Sequence, residues 1–184
     1  MTTLPLPRGA RRNRLTIVVI VTAVLLAGYI LLLNHEERLM AQYYKDLRQS
    51  HPQVYLAKIM QARGFRMFLQ EYESMHDLTK PSAKVPTFLI GRWALFDKAK
   101  RVSDEFVPKT CLSGLEIEDG HLSLFGEGAM QHDATYTMAG NKVTAHLSGG
   151  GAATIGVIGY GSHLHHIEVM LPGHKDVQYG YMCR

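Results

Sequence analysis

The sequence predicts an α+β chain: an N-terminal transmembrane helix and a helical stalk, then an antiparallel up-and-down β-barrel of about eight strands. Three observations carry this. Residues 15–33, LTIVVIVTAVLLAGYILLL, form the one long uncharged apolar run. After a proline-marked stretch at 79–86 the apolar spacing changes from the helical 3.6 to the alternation of strands. Beyond it, turn signals return about every eight to twelve residues with no helical pattern between them.

The apolar run is about nineteen residues, or about 28 Å of helix, against a hydrocarbon core of about 30 Å. Arg8, Arg11, Arg12 and Arg14 precede it, and a mixed flank of His35, Glu36, Glu37 and Arg38 follows. The positive-inside bias puts the N-terminus in the cytoplasm and everything after Asn34 across the membrane. The run is longer than a signal-peptide core and no small-x-small site precedes Asn34, so it reads as an uncleaved signal anchor. The tail, 1–14, carries Pro5 and Pro7 and is too short to fold. Its four arginines account for the formal net charge of +4. The rest of the chain is balanced and has no basic run suited to a nucleic-acid groove.

Residues 34–78 read as the stalk. Leu39, Tyr43 and Leu47 repeat at four-residue spacing among charges until His51-Pro52, where proline disfavours helical geometry in the residue before it. A second helix is expected with Ser50 as N-cap and Pro52 in its first turn. Its stripe, Leu56, Met60, Gly64, Phe68, Tyr72 and Met75, runs to about His76. Either the stripe packs on the downstream domain or it docks a partner helix through Leu56, Met60, Phe68, Tyr72 and Met75. Lys58, Arg63 and Arg66 raise a membrane-surface alternative, which the glutamates on the polar face disfavour. Residues 79–87, beginning TKPSAKVP, are expected to link stalk and barrel.

The barrel is assigned to 88–184. Strand 88–96 sets Leu89, Gly91, Trp93 and Leu95 on one face. Leu115 and Ile117 lead to Asp119-Gly120, a strong hairpin turn, and Leu122 and Leu124 return from it. Ala134, Tyr136 and Met138 alternate with polar residues before Gly140-Asn141 turns the chain into Val143, Ala145 and Leu147. Three glycines at 149–151, Gly161-Ser162 and Pro172-Gly173 mark the remaining turns. The last strand, 176–183, places Val177, Tyr179, Tyr181 and Cys183 together. A meander of this length closes most economically into a barrel, which also removes aggregation-prone edges. Two cysteines occur, Cys111 and Cys183, both beyond the anchor in an expected oxidising space. They read as a structural disulfide, since nothing resembles Cys-x-x-Cys.

With the strands placed, Gly91-Arg92-Trp93, within FLIGRWALF, resembles the Gly-x-Trp on the first strand of lipocalin-like (calycin-type) barrels. YTMAGNKVTAHL at 136–147 resembles their middle hairpin. The resemblance covers roughly the last hundred residues and implies a closed barrel with Trp93 plugging one end. Residues 149–161 and the stalk depart from that pattern. Barrels of this general shape include membrane-tethered partners of single-pass receptors and periplasmic inhibitors of secreted enzymes.

No catalytic residue is assigned. There is no G-x-S-x-G elbow, and Gly161-Ser162-His163 lacks the strand-to-helix setting of a nucleophile. Glu116 and Glu118 alternate with Leu115 and Ile117, as on a solvated face. The glycines at 149–161 lack the following helix and lysine of a phosphate loop. His163 and His165 share a strand face and form the one weak metal candidate, with His166 pointing oppositely. A candidate ligand cavity would be lined by Trp93, Tyr136, Met138, Tyr179 and Tyr181, although the same residues describe a filled core.

The resulting expectation is a single-pass protein of the bacterial inner membrane, cytoplasmic at its N-terminus, with a periplasmic barrel. It is a non-enzymatic accessory or regulatory subunit, with a membrane protein or complex as partner, the bilayer contacted through the anchor, and no cofactor or nucleic acid. A barrel sensing a lipid or small apolar ligand is the first alternative, and an immunity or inhibitor protein the second.

Overall fold

The computed structural model describes residues 8–101, 106–126 and 128–183, with side chains described from residue 16 on. It divides into two compact units, Met1–Tyr55 and Leu56–Arg184.

The first unit is dominated by one helix, α1, Arg8–Ser50. The apolar run and the first stalk segment, residues 34–50, therefore form one continuous helix. The physical reason is that no glycine or proline lies between Gly28 and Pro52, so nothing stops the helix after the apolar run. From Ile17 to Leu33 the large apolar side chains are exposed, and the helix is long and apolar enough to cross a membrane. Ser50 is not an N-cap. It is the last residue of α1, and its Oγ donates to the Asp46 carbonyl at 2.7 Å. His51 joins the helices instead: its N–H donates to the Leu47 carbonyl (2.8 Å) and its carbonyl accepts from Tyr55 N–H (3.0 Å). Pro52 opens α2, Pro52–Arg63, where its missing N–H costs nothing.

The single helix expected over 52–76 is broken. Gly64, at φ 84°, separates α2 from α3, Phe65–His76. That left-handed geometry frees Phe65 N–H to donate to the Gly161 carbonyl at 2.8 Å, docking the start of α3 on a barrel turn. The break also rephases the stripe. Leu56, Ile59, Phe65, Phe68, Leu69 and Tyr72 are buried, whereas Met60 and Met75 are half-buried. Rings of Phe65, Phe68 and Tyr72 surround Phe88 at centroid distances of 6.1, 5.6 and 5.1 Å. Tyr72 Oη accepts from Thr87 N–H (3.0 Å), and Glu73 Oε2 accepts from Gly140 N–H (3.0 Å). Leu56, Phe68 and Tyr72 are thus buried within the fold.

Phe65 sits where a side chain on Gly159 would stand. Gly159→Ala is expected to cost about 1–3 kcal/mol by forcing the ring off its seat. A lowered urea midpoint would show it, and an unchanged midpoint would mean that α3 moves freely on the sheet.

Residues 79–86 are held against the barrel. Ser82 pairs with Tyr136, Gly120 N–H donates to the Ala83 carbonyl (2.6 Å), and Val85 N–H donates to Asp119 Oδ1 (2.9 Å). A 3-10 turn over Thr87–Leu89 then precedes β1, so the expected strand 88–96 begins at Gly91.

Eight antiparallel strands follow: β1 Gly91–Phe96, β2 Gly114–Glu118, β3 His121–Phe125, β4 Met130–Ala139, β5 Lys142–Leu147, β6 Ala152–Tyr160, β7 His163–Met170 and β8 Gln178–Met182. They pair in chain order, and β8 closes on β1, so the sheet is a closed up-and-down barrel. Its interior follows from the register. Trp93 lies opposite Leu115 and Leu115 opposite Leu124. Met138 faces Val143, Val143 faces Ile155, and Ile155 faces Val169. These positions are fully or nearly fully buried, apart from Leu124 toward one mouth.

Two polar atoms inside find main-chain partners. Trp93 Nε1 donates to the Leu89 carbonyl at 2.9 Å, and the Tyr136 hydroxyl sits between the carbonyls of Glu118 and His121. Burial, then the charges of Asp119 and Glu118, raise the Tyr136 pKa well above its ordinary value, so this phenol is a fixed donor. Cys111 and Cys183 are joined, with Cα atoms 6.1 Å apart. The bridge ties the segment just before β2 to the residue after β8.

Candidate site at the Trp93 end of the barrel

The ladder between β7 and β8 is short. It pairs Ile167 with Gly180, Glu168 with Tyr179 and Val169 with Gln178, while β7 begins four residues earlier at His163. Across that stretch β7 leans on β6 through a bulge: Ile158 faces His166, Gly159 faces Leu164, and His165 is the extra residue. The bulge rephases the histidines. His165 does not follow Ile167 and Val169 inward as simple alternation predicts, and the residue that becomes buried is His166.

β8 departs from expectation in the same region. Gly180, not a tyrosine, points inward, where the Ile167 side chain fills the place of a Cβ and Leu95 lies beyond. Tyr181 pairs with Ala94 and Tyr179 with Phe96, so both tyrosines lie on the outer face. They do not line a cavity with Trp93, Tyr136 and Met138. Tyr181 is nonetheless fully buried, because residues after β1 fold over it. Phe96 and Phe106 pack edge-on at 5.7 and 4.9 Å, and Lys100 N–H donates to Tyr181 Oη at 2.7 Å. The His166 ring stacks on Tyr181 at 5.5 Å, and His165 Nδ1 lies 2.6 Å from His166 Nδ1.

This packing has a pH consequence. Burial, then the neighbouring His165, lowers the His166 pKa from 6.5 to about 4. The unfolded chain therefore takes up a proton at higher pH than the folded one. The stability contributed by a neutral His166 is complete above pH 6.5 and is lost as pH falls toward 4, on the order of 3 kcal/mol. Urea midpoints between pH 7.5 and 4.5 are expected to fall less steeply for His166→Gln than for the native chain. Parallel curves would show that His166 stays neutral in neither state preferentially.

Beside this cluster opens a cleft of about 420 Å³. α2 contributes Met60, α3 contributes Phe65 and Phe68, and the 3-10 turn contributes Phe88. Its barrel side is formed by Trp93, Met182 and the run from Ser162 to His165. The size and the aromatic lining with few polar groups are those of a small-molecule site. The ionisable groups in the lining are His163 and His165, and no carboxylate is among them. Ser162 Oγ lies 3.2 Å from Nδ1 of the exposed His163 ring.

The structure thus gathers Trp93, Met60, Phe68, His163 and His165, which the sequence had distributed over three separate roles. Phe65, Phe88, Leu164 and Met182 were not singled out. The signal that could have found them is the glycine pair, Gly64 and Gly161, whose close approach brings α3 to the start of β7. Among the described residues no group of three or more His, Cys, Asp or Glu is arranged to hold a metal ion.

A second, smaller pocket of about 160 Å³ opens into the barrel between β2, β3, β4 and β5. Leu115, Leu122, Leu124 and Leu147 line it, with His132 and His174 among the polar members. Comparison of the chain with protein-family models, with curated proteins and with solved structures found no match.

Proposed function

We propose that this chain is a bacterial inner-membrane protein with a cytoplasmic N-terminus, carrying a lipocalin-like barrel in the periplasm as a non-enzymatic accessory or regulatory subunit of a larger membrane complex. The tail arginines support the orientation, and the paired cysteines fit an oxidising space. Gly91-x-Trp93 on β1 and the meander order support the lipocalin-like reading.

The observation that carries the functional reading is the filled interior. Trp93, Tyr136, Met138, Val143, Ile155 and Ile167 are at most 2 % exposed, and the indole and phenol are satisfied by main-chain carbonyls. Such a barrel stabilises itself and presents its outside to another protein. Mild-detergent purification through a C-terminal tag, after cross-linking in native membranes, is expected to recover a stoichiometric membrane protein. Recovery of the chain alone under saturating cross-linking would sink the proposal.

The barrel-mouth pocket favours a second reading, in which the barrel senses a small apolar ligand. Saturable binding of a lipophilic probe, abolished by Leu124→Arg, would favour it over the subunit reading.

A further inference from the structure

We infer that the cleft between α2, α3 and the parted β7–β8 seam is a binding site for a free medium-chain fatty acid, held with its chain against the aromatic rings and its carboxylate at His163 and His165. This goes beyond the subunit reading and concerns a site at the Trp93 end of the barrel, separate from the barrel-mouth pocket. Three observations carry it. The cleft holds about 420 Å³, within the range of about 300–1,000 Å³ typical of small-molecule sites. Its floor is apolar and drawn from five elements, with Met60, Phe68, Phe88, Trp93 and Leu164 converging on one space. Its polar groups complement an anion: two imidazoles and the Ser162 hydroxyl, and no lining carboxylate to repel one.

The origin of the space is structural rather than incidental. The seam parts because β8 pairs with β7 only from Gly180 back to Gln178, and the bulge at His165 carries the start of β7 away from it. Phe65 N–H, bonded to the Gly161 carbonyl, fixes α3 as the opposite wall. An aliphatic chain entering here meets aromatic faces, and the carboxylate reaches imidazole N–H donors at the rim without being buried unpaired.

The chain supplies its own reporter, because Trp93 is its sole tryptophan and lines the cleft. The experiment uses the full chain in nanodiscs titrated with 10-bromodecanoate, whose bromine quenches tryptophan fluorescence at contact. Saturable quenching is expected, about tenfold weaker in His163→Gln and weaker again in His163→Gln/His165→Gln. Leu164→Glu, which places a carboxylate in the cleft, is expected to abolish it, and Leu124→Glu at the barrel mouth to leave it unchanged. 10-Bromodecanol is expected to bind at least tenfold more weakly than the acid. Non-saturating quenching, equal quenching by acid and alcohol, or loss in Leu124→Glu rather than at the cleft would each overturn the proposal. Because His163 is exposed, its variant folds whether or not Leu164→Glu does. Failure of this titration leaves the cross-linking result, and so the subunit reading, untouched.

Discussion

Replacing Trp93 with alanine is expected to destabilise the barrel by about 3–5 kcal/mol. The side chain is 1 % exposed and packs inside opposite Leu115. Its removal leaves a cavity that neighbouring strands, held by ladders on both sides, cannot collapse into. It also takes away the donor to the Leu89 carbonyl, which then stays buried without a partner. For a domain of this size the loss corresponds to a fall in Tm on the order of 10–20 °C, read from the near-ultraviolet dichroism of the tyrosines. Trp93→Phe separates the two contributions, since it keeps most of the volume and removes only the hydrogen bond. A variant with alanine and an unchanged melting point would mean that the plug is dispensable and that closure of the sheet alone holds the fold.

Cys183→Ser is expected to cost about 4 kcal/mol, because the bridge to Cys111 spans a sequence separation of 72 residues and removes that loop's freedom from the unfolded chain. The check is a closed cycle of urea midpoints. Reductant should lower the midpoint of the native chain to that of the serine variant and should not lower the variant further. If the variant fell well below the reduced native chain, the serine itself, rather than the lost cross-link, would be responsible. β8 should be the element most affected, because its ladder to β7 has three paired positions and its ladder to β1 has four.

Much of the architecture was legible because it rests on local chemistry. The apolar run of α1 shows itself by composition and length alone. Asp119-Gly120 and Gly140-Asn141 each set a hairpin by their own backbone preferences, and the strands between them alternate as they were read. The cysteine pair was legible because the chain has two cysteines and both follow the apolar run. What was not legible depends on which neighbour arrives first at a shared space. Tyr179-Gly180-Tyr181 reads as two inward rings around an outward glycine. The interior there is already filled by Ile167 and Leu95, so the glycine must face in and the tyrosines out. Alternation through His163–His166 fails at a bulge, which leaves no local mark. The stripe on 52–76 reads as one helix, because Gly64 keeps helix-like main-chain bonds on both sides, its N–H to the Met60 carbonyl and its carbonyl from Phe68 N–H. The break shows only where Phe65 N–H turns away to a distant acceptor. That acceptor is the Gly161 carbonyl, nearly a hundred residues on. The cleft inherits all three of these non-local decisions, which is why its residues were read separately and assigned to a metal, a core and a docking face.

Closure of β8 onto β1 has a consequence for how the molecule is made. The first strand cannot complete its hydrogen bonding until the last of the eight has been synthesised, so at every earlier moment β1 and the newest strand are raw edges. Pairings this distant in sequence form slowly and leave such edges open to the wrong partner. Cys183 emerges just behind β8, and in the joined sheet its Cα lies 6.1 Å from that of Cys111. Oxidation is therefore a clasp on the closing strand: a bridge once made keeps β8 tethered near its place whenever the sheet opens.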